Sequence, residues 1–104
     1  MNSKRKGNAG EWAFIHWLRS KGRVASRNEG SGAFETKGDI ENDLGLVIEV
    51  KTVKKASLRE FWAQVEGDAE GTHKPPVLAI HLNGMPKDKW LMVIDSEHFI
   101  SLIK

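Results

Sequence analysis

Asp39, Glu49 and Lys51 are the residues whose types and spacing point to chemistry. Glu49-Val50-Lys51 interrupts the stretch Leu46 to Val53, which is otherwise rich in Val, Ile and Leu. Alternate side chains of a strand share a face, so the carboxylate and the ammonium point the same way. A strand covered on both faces is expected to be apolar throughout, and charges within it are costly unless they are paired or bind a metal. Asp39 to Asn42 and Leu46 to Val53 read as a hairpin around Asp43, Leu44 and Gly45. A three-residue loop with Gly45 in the left-handed conformation pairs Asn42 with Leu46 and sets Asp39 opposite Glu49. A two-residue or four-residue loop turns Asp39 to the other face, so the register is a testable part of the reading.

Two facing carboxylates repel each other unless a cation lies between them, and oxygen-only ligands favour Mg²⁺ or Mn²⁺ over zinc. The Val50 carbonyl is a further candidate ligand. Such an ion activates water, orients a phosphate and offsets charge on a leaving oxygen, which suffices to hydrolyse a phosphodiester bond. Lys51 is then expected to hold the attacking water or hydroxide. Glu11 is the second carboxylate of interest, because Phe14, Ile15 and Leu18 follow at i+3, i+4 and i+7 and share its helix face. It would complete the metal site or bind a second ion; the plainer alternative is that it ends the apolar stripe near solvent. For Glu49 and Lys51 the plainer alternative is a salt bridge on an exposed face. Gly38-Asp39-Ile40 ten residues before Glu49, and an inward glutamate on an earlier helix, favour the catalytic reading.

The elements that must position these groups follow from periodicity and punctuation. A first helix is predicted from Asn8 to about Lys21, stopped by Gly22, after a flexible basic arm containing Lys4-Arg5-Lys6. Arg23 to Arg27 suggests a short strand, and Asn28 to Gly38, with Gly30, Ser31 and Gly32, a long flexible loop. After the hairpin, Ser57-Leu58-Arg59-Glu60 matches a capping box. Leu58, Phe61, Trp62 and Val65 then carry a second helix as far as Gly67. Val77 to Leu82 and Trp90 to Ile94 are strands, and Ser96 to Ile103 a closing helix with Phe99, Leu102 and Ile103 on one face. The predicted order is αβββαββα, an α/β fold with a central sheet flanked by helices.

Composition narrows the classes. With 104 residues, 39% hydrophobic and 29% charged, the chain has the proportions of one globular domain spanning residues 1–104. It has no cysteine, which removes disulfides, thiolate nucleophiles and sulfur-held zinc. No apolar run is long enough to span a bilayer or act as a secretion signal, so an intracellular location is expected. The net charge of +2 is unevenly spread: residues 1–55 hold eleven Lys or Arg against seven Asp or Glu, and residues 56–104 five against seven. A polyanionic partner fits this, although so uneven a split also arises by chance in a short chain. Arg5, Lys6, Arg23, Arg27, Lys54 and Lys55 are the candidates for following a DNA backbone. The four tryptophans offer a stacking platform for unpaired bases as one reading, but Trp62 and Trp90 fit core positions and Trp17 a partly exposed one, so a core role is favoured. The four histidines show no ligand spacing.

Gly38-Asp39-Ile40 followed by Glu49-Val50-Lys51 resembles the PD-(D/E)xK nuclease superfamily. Within it, the chain is similar to archaeal-type Holliday junction resolvases over nearly its full length. The similarity runs through Lys6-Gly7-Asn8-Ala9-Gly10-Glu11, Gly30-Ser31-Gly32, Gly38-Asp39, Glu49-Val50-Lys51 and Pro76-Val77-Leu78-Ala79. It departs from them at Lys37-Gly38, where a proline is usual before the aspartate, and at Trp12, where arginine often follows the glutamate. The resemblance implies a restriction-endonuclease-like fold and a homodimer that makes paired nicks in four-way or branched DNA. It implies Glu11, Asp39 and Glu49 around Mg²⁺ and Lys51 assisting the water. It also points to Ser31, on a loop near the scissile phosphate, and to Gln64 on the following helix as catalytic residues. The alternatives are a nuclease of the same superfamily that cuts flaps, single strands or duplex DNA, and a DNA-binding module that does not cut.

Overall fold

A computed structural model describes residues 3–28, 38–53 and 57–103. The elements are α1 (Ser3–Ser20), β1 (Ala25–Arg27), β2 (Ile40–Asn42), β3 (Val47–Val53), α2 (Leu58–Ala69), β4 (Pro76–Leu82), β5 (Leu91–Val93) and α3 (Ser96–Leu102). Their order is the αβββαββα expected from the sequence. The five strands form one mixed sheet in the order β1-β2-β3-β4-β5. All neighbours run antiparallel except the central pair β3 and β4, which is parallel. Parallel neighbours need a long crossover, and α2 supplies it.

The strand alternation of β3 and β4 sorts the core into two layers. Ile48, Val50, Val77 and Ala79 face α1 and pack with Phe14, Ile15 and Leu18. Val47, Leu78 and Ile80 face the other way, against Val65, Phe61 and Trp62 of α2. Glu49 lies between Val47 and Lys51 in sequence and therefore belongs to the α2 face.

Several boundaries differ from the sequence reading. Helix α1 starts at Ser3, so Arg5 and Lys6, expected on a flexible arm, lie in its first turns. Lysine and arginine are good helix formers, and nothing in that stretch forbids the helix from extending back. Ser57 is the N-cap of α2, but its hydroxyl donates to the Glu60 carboxylate at 2.6 Å and makes no bond to a backbone amide. Helix α2 continues through Gly67 to Ala69, and the left-handed residue beyond its end is Gly71, with φ of +78°. In α3 the expected apolar face is not buried: Phe99, Ile100 and Leu102, with Ile103 just beyond, are all exposed. The loop predicted over 28–38 lies largely outside the described residues.

Candidate active site

The hairpin has the register that a three-residue loop dictates. Ile40 pairs with Ile48, the alignment a three-residue loop gives, and beyond it the Asp39 N–H also reaches the Ile48 carbonyl, so the ladder is irregular at Asp39. Gly45 has φ of +74°, and the Asn42 side chain locks the turn, donating to the Leu46 carbonyl at 3.0 Å and accepting from the Leu44 amide at 2.9 Å.

Asp39 is fixed by its backbone before its side chain acts. Its N–H donates to the Ile48 carbonyl at 2.8 Å, and its own carbonyl accepts from the Asn28 amide at 2.9 Å. Gly38, just before it, adopts φ of +83°, and a Cβ there would stand 2.8 Å from the Ile48 carbonyl oxygen. Only glycine lets the chain approach β3 that closely. One oxygen of the Asp39 carboxylate, Oδ2, accepts the N–H of Val50 at 2.9 Å. In an extended strand the N–H and C=O of one residue point to the same side, so the Val50 carbonyl lies on the edge of β3 that Asp39 occupies.

Glu49 is the one charged residue in the core among the described residues, at 4% exposure. Its carboxyl is pushed up to about 10, first by burial, then by hydrogen bonding to Asp68 and by the charge and hydrogen bonding of Asp39. Two carboxylates from different elements therefore converge on a third that water does not reach. Without a cation the arrangement holds its charge down by keeping a proton on Glu49; a cation would take that proton's place. Lys51, two residues along on the same face, holds its ammonium 5.0 Å above the ring of Phe61, an attraction that fixes the cation's position.

Asp68 was not legible as a site residue in the sequence. It stands seven residues after Phe61 and three after Val65, which places it on the α2 stripe that faces β3. The signal was there once the stripe is continued past Gly67. Gln64, one turn before Asp68, is exposed.

Glu11 is not brought to this cluster. It lies on the α1 side of the sheet, where its Oε1 accepts from Arg27 Nε at 2.9 Å in a largely buried ion pair. Arg27, expected to follow a phosphate backbone, is thus engaged inside the fold. Arg23 pairs with Asp43 at 3.3 Å. Ser31, Lys54 and Lys55 lie outside the described residues, and the side chains of Arg5 and Lys6 are not described.

The donor set suits a hard cation. Asp39 and Glu49 supply carboxylates and Val50 a carbonyl, all oxygen, and Mg²⁺ is commonly held by only one or two carboxylates, completing its shell with water and substrate phosphate. Among the described residues no group of three or more His, Asp or Glu side chains is arranged to hold a metal ion by itself. No helix among the described residues is long and apolar enough to cross a membrane.

A mixed sheet carrying a buried Glu-x-Lys on its central strand, with an aspartate locked opposite by a hairpin, defines a nuclease of the PD-(D/E)xK type. The chain belongs to the family described as "Phage putative PDDEXK endonuclease", whose model matches residues 2–104. Among solved structures it is similar to Hjc of Archaeoglobus fulgidus, a Holliday junction resolvase from an archaeal hyperthermophile. The TM-score is 0.61 at 26% identity, covering 86% of this chain and 72% of that one. No curated protein sequence matches the chain.

Proposed function

We propose that this nuclease is a Mg²⁺-dependent, structure-selective endodeoxyribonuclease that cuts four-way or otherwise branched DNA. The observation that carries the reading is the Glu49 carboxyl, buried in the core and facing Asp39, whose other contact is the Val50 amide. A buried carboxyl facing a second carboxylate must be neutralised by a proton or by a cation, and a bound cation would serve both groups at once. When bound, Mg²⁺, for which Mn²⁺ would substitute, supplies Lewis-acid polarisation of the phosphate and of water. Asp39, Glu49 and the Val50 carbonyl would hold it. The rest falls to the chain itself. The Val50 amide aims one carboxylate, burial in β3 aims the other, and Lys51 orients the attacking water against the phosphate. Glu11 acts from the opposite face by fixing Arg27.

The choice of branched DNA rests on the likeness to the archaeal resolvase. A second copy of the chain would be needed for paired nicks, and the exposed Phe99, Ile100, Leu102 and Ile103 of the α3 region are a surface it would cover. The test is cleavage of labelled four-way junction, flap, single-stranded and duplex DNA in Mg²⁺. Paired nicking of the junction, lost in Asp39→Asn and Lys51→Ala, is expected. Cutting confined to another substrate would keep the site and discard the junction, and no cutting at all would make the chain a binding module.

A further inference from the structure

A cavity of about 510 Å³ opens on the α1 face of the sheet, between α1 and the connection from β4 to β5. Its wall carries four ring-bearing side chains, His16, Trp17, His81 and Trp90, and two charged ones, Lys87 and Asp88. None of these belongs to the acidic site, which lies on the α2 face. The two use opposite faces of the same strand, since Thr52, which also lines the cavity, directly follows Lys51 on β3.

The rings are held from behind. Phe14 stacks on Trp17 with centroids 5.7 Å apart and meets Trp90 edge-on at 5.0 Å. His81 meets Trp90 edge-on at 5.1 Å, and its Nε2 lies 3.0 Å from the Pro86 carbonyl oxygen. The hollow is open to solvent on one side, and Trp17, His81 and Trp90 are set in its wall by these contacts. It falls in the size range of sites for small organic groups, and pre-set rings lose little freedom when a flat molecule stacks on them.

The charges indicate which flat molecule. Lys87 stands on the wall, and Lys21 Nζ lies 6.0 Å over the Trp17 ring, so two ammonium groups flank the aromatic surface. A planar ring that carries its own negative charge meets both features, and a nucleotide is such a group. Asp88 adds an acceptor suited to the exocyclic amino group of a base.

We propose that this cavity receives an unpaired base of a DNA strand, stacked beside Trp17 with its phosphate near Lys87 and Lys21. The choice of DNA as the polymer rests on the nuclease reading. A base seated here would lie on the sheet face opposite Lys51, so the cavity would hold an unstacked nucleotide of the bound strand away from the phosphate that is cut. Stacking of this kind tolerates any base, which suits recognition of DNA structure over sequence.

The experiment uses full-length Asp39→Asn protein, so that DNA is bound and not cut. The ligands are DNA carrying one unpaired 2-aminopurine and the same DNA fully paired. Quenching of the unpaired probe on binding is expected, with its dissociation constant raised about tenfold by Trp17→Ala and several-fold by Lys87→Glu, while the paired DNA binds both variants unchanged. Lys87 is exposed, so its variant remains informative if Trp17→Ala fails to fold. Unchanged quenching and affinity in the variants would overturn the proposal. So would equal weakening for paired and unpaired DNA, or capture of an apolar peptide with no response from the probe. Cleavage of paired and branched DNA by the protein with Asp39 intact is scored separately. Pocket-dependent quenching without cleavage removes the nuclease reading and keeps the cavity, and cleavage with no pocket dependence does the reverse.

Discussion

The carboxylate of Asp39 accepts the backbone N–H of Val50 at 2.9 Å, which ties the first acidic group of the site to the peptide between Glu49 and Lys51. The bond separates what the side chain does for the fold from what it does for the reaction. Asparagine keeps an oxygen for the Val50 amide and loses the negative charge. Asp39→Asn is therefore expected to melt close to wild type and to lose activity by about a thousandfold or more, since several kcal/mol of charge stabilisation depend on it. Thermal melting and single-turnover cleavage of the same preparation check both halves.

The raised carboxyl of Glu49 makes the stability of the metal-free protein depend on pH. An unfolded glutamate releases its proton near the ordinary carboxylate value, whereas the folded one keeps it up to about 10. Between those limits the folded state binds the extra proton, so stability is fully present at acid pH and declines as pH rises. The melting temperature without metal should fall steadily from pH 6 to pH 9, and Glu49→Gln, neutral throughout, should remove most of that slope. Mg²⁺ should restore stability, more at pH 9 than at pH 6, because it replaces the proton. A slope unchanged by Glu49→Gln would show that another group is responsible.

Asp68 crowds Glu49 with a second negative charge, so its removal should act on the site and not on the core. Asp68→Asn replaces the charge with an amide that donates to the Glu49 carboxylate. Both changes lower the folded-state pKa of Glu49, so the pH-dependent loss of stability should become smaller and end at lower pH, and Mn²⁺ should bind roughly tenfold more weakly if the carboxylate helps retain the ion. Glu66→Gln, on an exposed position of the same helix, is the control. Calorimetric titration with Mn²⁺ measures the difference without reference to cleavage.

How far the sequence revealed this site depends on how local each relationship is. The register of the hairpin was legible, because loop length and the left-handed Gly45 decide it within a few residues. The outlying Glu-x-Lys was legible because charge on a covered strand is costly. Asp68 was hidden by Gly67, which reads as a helix stop; in the fold the roughly 1 kcal/mol that a helical glycine costs is outweighed by packing of Val65 against β3 and β4. The partner of Glu11 was hidden because it is set by tertiary pairing: Arg27 opposes Ile40 in the sheet and so points at α1. The exposed face of α3 shows the opposite failure, since periodicity identifies an apolar face but not what covers it. The cavity joins α1, β3, β4 and the connection beyond, and no single stretch of sequence contains it.

Gly38 and Gly45 offer a paired test of how the backbone positions Asp39. Both have positive φ, +83° and +74°, so alanine is strained at either position. At Gly45 a Cβ meets nothing within 4 Å, and Gly45→Ala should cost only the conformational term, about 1 kcal/mol. At Gly38 the same Cβ would stand 2.8 Å from the Ile48 carbonyl oxygen and 3.1 Å from its nitrogen, which are backbone atoms of β3 and cannot swing aside. Gly38→Ala must therefore push the chain off β3, adding overpacking to the conformational term, about 2–4 kcal/mol in all. That displacement carries Asp39 with it and breaks its bonds to Ile48 and Val50. Cleavage should fall at least a hundredfold in Gly38→Ala, measured below its melting transition, and stay within a few-fold of wild type in Gly45→Ala. Equal activities in the two variants would mean that Asp39 is not held in place by the approach of residue 38 to β3.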